Sequence, residues 1–344
     1  MTRQYPSIEE SILTPKINFS NTRRQGYLDE ESYTNTLVHI ARANALNVEA
    51  LDDNLTKRGR MTMLDLIADN KWKVLQLRYT AGDPLTDLAN SLDEIVLAYE
   101  QYVNAVDDLP EEEYNPPFVM NDMIDIYVDY LNLVCVAILL RREDLIPRIH
   151  ALNEGTDFDQ VDAVLEELLK FFLPDRPELD DWLWNKPYRK LLDAIDSETP
   201  DEMAKEMKQY VKNWYKDMKG VAHFWSKHEQ IKPDYTPYHG YWAMCAAAFT
   251  YLYNIDDSSY RDETVYPQDL IDYARSIPRN DDTNQSMTKP LRVAGGEPCP
   301  KSGHWFSPAK ADSQGHFSAG TIMPDFPDAQ YGLTIWQWLD DRNL

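Results

Sequence analysis

Residues 118–142, FVMNDMIDIYVDYLNLVCVAILLRR, contain the longest apolar run of this 344-residue chain and are the best guide to its architecture. Its apolar residues cover much of the circumference of a helix, which is typical of a central element in a helical bundle. The apolar run 131–140 is interrupted by Asn132 and followed by Arg141 and Arg142. This run is too short to cross a bilayer, which takes about 20 apolar residues. We therefore predict one buried central helix over residues 118–142.

Helical periodicity continues on both sides of this segment, because apolar residues recur at spacings of three and four. We expect further helices over residues 31–50, 61–80, 84–107, 144–153, 158–173, 179–196, 201–225, 239–254 and 266–276. The predicted fold class is mainly α, with helical bundle domains followed by a small loop-rich C-terminal module that contains a few short strands.

The composition of the chain changes at about Pro278. Glycine, proline and tryptophan then become frequent and helical periodicity is lost, which favours loops and short strands. We predict four regions, listed here in chain order: a lead-in (1–30), an N-terminal helical domain (31–110), a C-terminal helical domain (111–278) and a Pro/Gly/aromatic-rich C-terminal module (279–344).

Net charge is the most informative property of the composition. The chain has 34 Lys and Arg against 58 Asp and Glu, a formal charge of −24, and residues 107–181 contribute 20 acidic and 5 basic residues to it. A concentrated negative field repels nucleic acid and anionic membranes and accelerates encounter with a basic partner. The alternative is an acidic surface that only keeps the protein in solution.

We predict that this segment forms a partner-binding face. Its candidate residues are Glu111, Glu112, Glu113, Asp122, Asp125, Asp129, Asp159, Asp162 and Glu166. The spacing i, i+3, i+7 places Asp122, Asp125 and Asp129 on one stripe of the central helix. Acid/base catalysis by the carboxylates of residues 159–167 is an alternative, but carboxylates three or four apart are usually a solvated helix face.

Motifs of common enzymes are not found in the sequence: there is no phosphate-binding loop, nucleophile elbow, HExxH motif or EF-hand. Cys299, His304 and His316 are the nearest approach to a metal site, yet zinc sites usually present paired ligands. A turn in which these side chains pack is the favoured interpretation over a metal site or a Cys299–His304 nucleophile. We predict no metal, no cofactor and no enzymatic activity.

The N-terminal residues show no signal peptide, and three widely separated cysteines do not indicate a disulfide framework. We therefore expect a cytoplasmic protein. Asp256-Asp257-Ser258-Ser259 follows an apolar helix, and Asp and Ser at a helix end favour a turn over a metal site.

Three segments of the sequence are familiar. HGYWAMCAAAFTYLYNIDDSSY (239–260), with Gly240, Tyr241, Trp242, Asp256 and Asp257, resembles the core motif of the C-terminal helical domain of PoNi-like bacterial immunity proteins. KWKVLQLRYTAGDPLTDLANSLDEIVLAYE (71–100) is similar to their N-terminal helical domain. The C-terminal CPKSGHW turn and TIMP sequence, with Cys299, Gly303 and Trp305, resemble a tail module of immunity proteins found beside polymorphic toxins and type VI effectors.

The resemblance implies an antidote that binds a cognate antibacterial toxin in the producing cell and blocks its active site. The named residues are then structural, and Tyr241 and Trp242 are expected in the core. A nuclease toxin has a basic groove for phosphates, for which an acidic face would compete. The alternatives are an adaptor or chaperone that loads a secreted effector, and a metal-dependent hydrolase that uses the C-terminal module.

Overall fold

The chain folds into two compact units, Met1–Pro278 and Arg279–Leu344. The structure is a computed structural model, and the residues it describes are 18–51, 55–106, 116–278, 292–307, 309–310, 313–326 and 334–339.

Unit 1 is built from α-helices. Within the described residues these are α1 (Phe19–Thr22), α2 (Glu30–Leu51), α3 (Lys57–Thr80), α4 (Leu85–Val106), α5 (Ile124–Leu139), α6 (Ile146–Ala151), α7 (Ala163–Leu169), α8 (Asn185–Ile195), α9 (Pro200–Asp217), α10 (Met244–Leu252) and α11 (Gln268–Ser276). Short 3-10 helices cover Glu143–Leu145 and Lys227–Gln230. Side-chain caps start several helices, because their first N–H groups lack partners within the helix: Thr56 accepts from Gly59 N at the start of α3.

Helix α5 occupies the centre of unit 1. Twelve of its 16 residues are buried, and it packs on α6, α7, α10 and α11. A helix that is apolar around most of its circumference is stable only with neighbours on every side, which explains this position. Helices α2, α3 and α4 pack against one another in chain order.

The central helix is shorter than the sequence indicated. Helix α5 begins at Ile124 and ends at Leu139, because Met123 has an extended backbone and Arg141 adopts a positive φ of 58°. The predicted stripe of three aspartates is therefore wrong. Asp122 lies in the turn before α5, and only Asp125 and Asp129 share a helix face.

One apolar core continues through unit 1, from Phe19 in α1 to Ala274 in α11. Polar contacts also join segments distant in sequence. The side-chain amide of the buried Gln25 donates to Tyr241 O at 2.7 Å and to Thr264 O at 2.9 Å. The helices predicted for residues 31–110 and for residues 111–278 thus lie in one compact unit.

Unit 2 contains a small antiparallel sheet. Its described strands are β1 (Arg292–Ala294), β2 (Gly303–Phe306), β3 (Gly315–Phe317) and β4 (Ile335–Leu339), in the spatial order β1-β4-β2-β3. Cys299, Trp305, Met323 and Trp336 form its separate core. The prediction of a mainly α fold with short C-terminal strands is confirmed. No helix in the described ranges is long and apolar enough to cross a membrane.

Candidate functional site

The acidic residues predicted to bind a partner lie in different environments. Glu111, Glu112 and Glu113 fall outside the described residues, and Asp122 is exposed. Asp125 is half-buried and accepts hydrogen bonds from the backbone N–H groups of residues 223 and 224, both at 2.9 Å. Its carboxylate therefore fastens the segment after α9 to the central helix.

An internal ion cluster holds the next two acidic residues. Glu166 in α7 is only 1% exposed. Arg176 Nε donates to Glu166 Oε2 at 2.6 Å, and its Nη2 donates to Asp159 Oδ1 at 2.7 Å. Charge-assisted hydrogen bonds of this kind are among the strongest in proteins. The cluster ties the loop before α7 (152–162) to the loop after it (170–184).

Asp162 joins the same two loops from the inside. Its Oδ1 atom accepts from Leu165 N at 3.0 Å, which caps α7, and from the hydroxyl of Tyr127 at 2.9 Å. Its Oδ2 atom accepts from Leu183 N at 2.9 Å in the second loop. Burial raises the pKa of Asp162 despite these donors.

These positions correct the sequence interpretation of three candidates. Asp162 and Glu166 are buried, and the carboxylate of Asp159 is occupied by Arg176, so none of them presents a free charge to a partner. A buried carboxylate needs internal donors, and here those donors are what position the two loops. We therefore remove all three from the proposed contact surface.

Five other carboxylates on the two loops face solvent and have no side-chain hydrogen bond or ion pair with a described residue. They are Glu154, Asp157, Asp175, Asp180 and Asp181. We call the loops 152–162 and 170–184, with these five carboxylates, the acidic loop pair. Its backbone is fixed by Arg176 and Asp162, and by a hydrogen bond from Ala163 N to Asp181 O at 2.8 Å.

A second feature of unit 1 is a cleft of about 370 Å³ between α3 and α5. Residues of the segments 223–227 and 237–244 also line it, together with Trp214 of α9, Leu88 of α4 and Leu270 of α11. Its volume lies in the range of small-molecule pockets, about 300–1,000 Å³. We call it the α3/α5 cleft.

Asp129 projects from α5 into this cleft. Its Oδ1 atom accepts from Trp72 Nε1 and from Gln76 Nε2 of α3, both at 2.9 Å. Burial raises the pKa of Asp129 to about 6, although these two donors act in the opposite direction. Within the described residues, its Oδ2 atom accepts no hydrogen bond.

The other polar groups of the cleft include a matched ion pair and two groups without partners. Lys73 Nζ bonds to Asp69, so its charge is locally balanced. His239 Nε2 is buried without a partner among the described residues. Burial, together with the positive charge of Lys73, lowers the pKa of His239 to about 4, so the ring is neutral near pH 7. The amide of Asn132 also lines the cleft and makes no hydrogen bond with a described residue.

The Gly-Tyr-Trp motif at residues 240–242 forms one wall of the cleft. Gly240 has a φ of 116°, and a Cβ atom there would lie 2.2 Å from both Thr80 Oγ1 and Trp242 Nε1. Trp242 Nε1 donates to Thr80 Oγ1 at 2.9 Å. Tyr241 is buried, and its hydroxyl accepts from His228 N at 3.1 Å. Glycine is therefore required for the backbone of this wall.

The neighbouring acidic motif is divided between a turn and an ion cluster. Asp256 is exposed and accepts from Ser258 N at 3.0 Å, as in a helix-end turn. Asp257 is buried, and its two oxygens accept from Arg261 and Arg275, both at 3.0 Å.

Residues 160–270 include Asp162, the helices α7 to α10, the Gly-Tyr-Trp motif at 240–242 and the loop 170–184. Residues 160–270 match the family model of the PoNe immunity proteins (PoNi), C-terminal. The resemblance stated for residues 239–260 is thereby confirmed, since they lie inside the matched range. The match indicates an immunity protein directed against a toxin.

Comparison with solved structures identifies the same overall fold elsewhere. Protein PA2201 from Pseudomonas aeruginosa superimposes with a TM-score of 0.61 at 20% sequence identity. The alignment covers 74% of this chain and 91% of PA2201. At this identity the likeness concerns the fold alone. No curated protein matches the chain.

The motif residues of the C-terminal module lie in its small core. Cys299 and Trp305 are buried, and Trp305 Nε1 donates to Lys301 O at 3.0 Å. Gly303 lies against the indole of Trp338. His304 and His316 are paired across β2 and β3 with ring centroids 5.1 Å apart. No cluster of three or more metal-ligating side chains occurs among the described residues.

Sequence reasoning missed Arg176 and the cleft. Arg176 lies ten residues after Glu166, across a loop, and a local pattern gives no sign that the two side chains meet. The cleft unites α3, α5 and the segment 237–244, which are far apart in the chain. A polar residue at an otherwise apolar position of the central helix, as at Asp129 and Asn132, was the available signal.

Proposed function

We propose that this protein is an immunity protein that binds a cognate antibacterial toxin in the producing cell and neutralises it by occlusion. The observation that carries the proposal is the match of residues 160–270 to the PoNi family model. Such a role requires binding and no chemistry of its own. We further propose a toxin of the type VI secretion or polymorphic class, with a nuclease as the first candidate.

The acidic loop pair is the surface proposed to meet the toxin. Its exposed carboxylates lie on a backbone that is already fixed, so binding orders few side chains and no loop. Preorganisation of this kind favours affinity because less conformational entropy is lost. A nuclease presents Lys and Arg to phosphates, and exposed carboxylates would compete for the same groups.

Coexpression with the neighbouring toxin gene tests the function. We expect the protein to restore growth and to copurify with the toxin domain, which would be measured by plating and by calorimetry of the purified partners. Copurification through a region outside the toxic domain, with toxicity unchanged, would support an adaptor instead. If the protein neither restores growth nor forms a complex with the toxin, the proposed function is refuted.

A matched pair of triple variants tests the surface. Asp175→Asn, Asp180→Asn and Asp181→Asn remove three charges from the acidic loop pair. The control removes three exposed charges elsewhere, with Asp87→Asn, Glu198→Gln and Asp262→Asn. We expect the first variant to bind the toxin at least tenfold more weakly and with a shallower dependence on salt, because fewer charge pairs form. Equal affinity of the two variants would exclude these loops.

A further inference from the structure

The α3/α5 cleft contains more hydrogen-bonding capacity than the described chain uses. His239 Nε2 borders it and is buried without a partner among the described residues. Asp129 Oδ2 and the Asn132 amide border it too; these two residues are half-buried, and neither group has a hydrogen bond from a described residue. Buried polar groups are normally satisfied, so an unpartnered imidazole nitrogen beside two further free polar groups points to a polar ligand. A neutral histidine whose Nδ1 carries the proton offers Nε2 as an acceptor.

The charged side chains around the cleft indicate whether that ligand is a cation or an anion. Three carboxylates and two ammonium groups line it, on Asp69, Asp125, Asp129, Lys73 and Lys227, so negative groups outnumber positive ones. Lys73 bonds to Asp69 and acts on Asp129 only through space, while the hydrogen bonds of Asp129 come from an uncharged indole and an uncharged amide. A cation is therefore the complement that the charges of the cleft favour.

The walls of the cleft define the shape of the cation. Its lining includes the aromatic residues Trp72, Trp214, Phe224 and Tyr238. A guanidinium group is planar, is weakly hydrated and stacks on aromatic faces, whereas an ammonium is a compact and strongly hydrated charge. A guanidinium also has five N–H donors, enough to donate to a carboxylate oxygen, an amide oxygen and an imidazole nitrogen together.

We propose that the α3/α5 cleft receives an arginine side chain of the toxin. The guanidinium would donate to Asp129 Oδ2, to the Asn132 side-chain oxygen and to His239 Nε2, while its methylene groups contact the aromatic walls. This assignment rests on the proposed function for the identity of the partner, but the chemistry of the pocket is independent of it. A single arginine anchored in a pocket is a common form of binding hot spot.

The first experiment tests the pocket without a toxin. n-Propylguanidinium is titrated into the full-length protein and followed through the indole N–H resonance of Trp72, with the uncharged n-propylurea as the matched probe. Asp129→Asn keeps an oxygen for Trp72 and Gln76 and removes the charge; Asp87→Asn removes an exposed charge outside the cleft. We expect guanidinium binding that weakens at least tenfold in Asp129→Asn and is unchanged in Asp87→Asn. Equal binding of the two probes, or equal effects of the two variants, would overturn the proposal.

The second experiment tests the partner. The affinity of the toxin is measured for the wild-type protein and for both variants. A tenfold or larger loss that is confined to Asp129→Asn supports an arginine in the cleft, and equal affinity of all three proteins overturns this assignment. Absence of any wild-type complex would refute the proposed function, and guanidinium binding in the first experiment would then assign the cleft to a free organic cation instead of the toxin.

Discussion

Glu166 in α7, between the two loops of the acidic loop pair, and Asp129 in the α3/α5 cleft are carboxylates fully and partly shielded from solvent, yet their surroundings differ. Glu166 is bonded to a guanidinium, whereas Asp129 is bonded to an indole and a carboxamide. The first charge is neutralised inside the protein and holds two loops. The second has no cation bonded to it, lies beside a cavity and meets the charge of Lys73 only through space. Whether the hydrogen-bond donors of a shielded carboxylate are charged thus distinguishes a structural role from a binding role better than its burial does.

The largest effect is expected from breaking the ion cluster. Arg176→Ala leaves Glu166 as an unpaired buried charge, and removing one partner of a buried ion pair costs about 3–5 kcal/mol. We expect the free energy of unfolding in urea at pH 7.5 to fall by that amount. Arg189→Ala is the control, because its ion pair with Asp193 is exposed and should contribute less than about 1 kcal/mol. Similar losses in both variants would contradict the role given to Arg176.

We expect Asp129→Asn to change the free energy of unfolding in the opposite direction, toward higher stability. The folded-state pKa of about 6 lies above the ordinary pKa of this carboxyl, 3.8, so the native state binds more protons than the unfolded state between these pH values. Stability due to this group is present below about pH 4 and is lost as the pH rises to 6, by up to about 3 kcal/mol. We expect the Asp129→Asn substitution to stabilise the protein at pH 7.5 and not at pH 4. A pH-independent change in the urea midpoint would refute this.

Gln76→Lys would turn the cleft into a second ion cluster. The new ammonium beside Asp129 should lower the pKa of its carboxyl from about 6 toward or below its ordinary value, as measured by carbon NMR titration. The free energy of unfolding should change by less than about 1 kcal/mol, because desolvation offsets the new attraction. Guanidinium binding should be lost. Gln76→Met, which removes a donor and adds no charge, should raise the pKa; equal pKa values in both variants would contradict the electrostatic argument.

The smallest effect is expected on the outer face of the acidic loop pair. Asp180→Asn with Asp181→Asn removes two exposed charges that have no side-chain partner among the described residues. The free energy of unfolding should change by less than about 0.5 kcal/mol, as is usual for surface positions. A loss above about 1 kcal/mol in the same urea measurement would mean that these carboxylates support the fold.

Much of the helical architecture followed from local periodicity, because an apolar stripe at helical spacing has few other solutions. The helix boundaries predicted from periodicity were wrong at several helix ends. Helix α7 starts at Ala163 and not at residue 158, since Asp162 caps it. Helix α9 ends at Asp217, shortly before Gly220 with its φ of 81°, where the sequence had indicated a helix to residue 225. Cap geometry decides these ends, and many residues that are able to cap do not do so.

The candidate site was harder to predict than the fold. A high local count of carboxylates identified an acidic region, but charge density is the same whether a side chain faces solvent or an internal arginine. Asp162 and Glu166 were thus chosen, while Asp175, Asp180 and Asp181 were not. Which carboxylates stay free depends on contacts across loops, such as that of Arg176 with Glu166, and these contacts have no local signature.

The separation of supporting from exposed carboxylates in the acidic loop pair has a consequence for how such a protein can diversify. Arg176, Glu166 and Asp162 hold the loops through hydrogen bonds, whereas the five outward carboxylates have no side-chain hydrogen bond with a described residue. Substitutions at the outward positions can therefore accumulate without passing through unfolded intermediates. A lineage could follow a changing toxin by altering only this outer layer, while the inner layer keeps the loops in place.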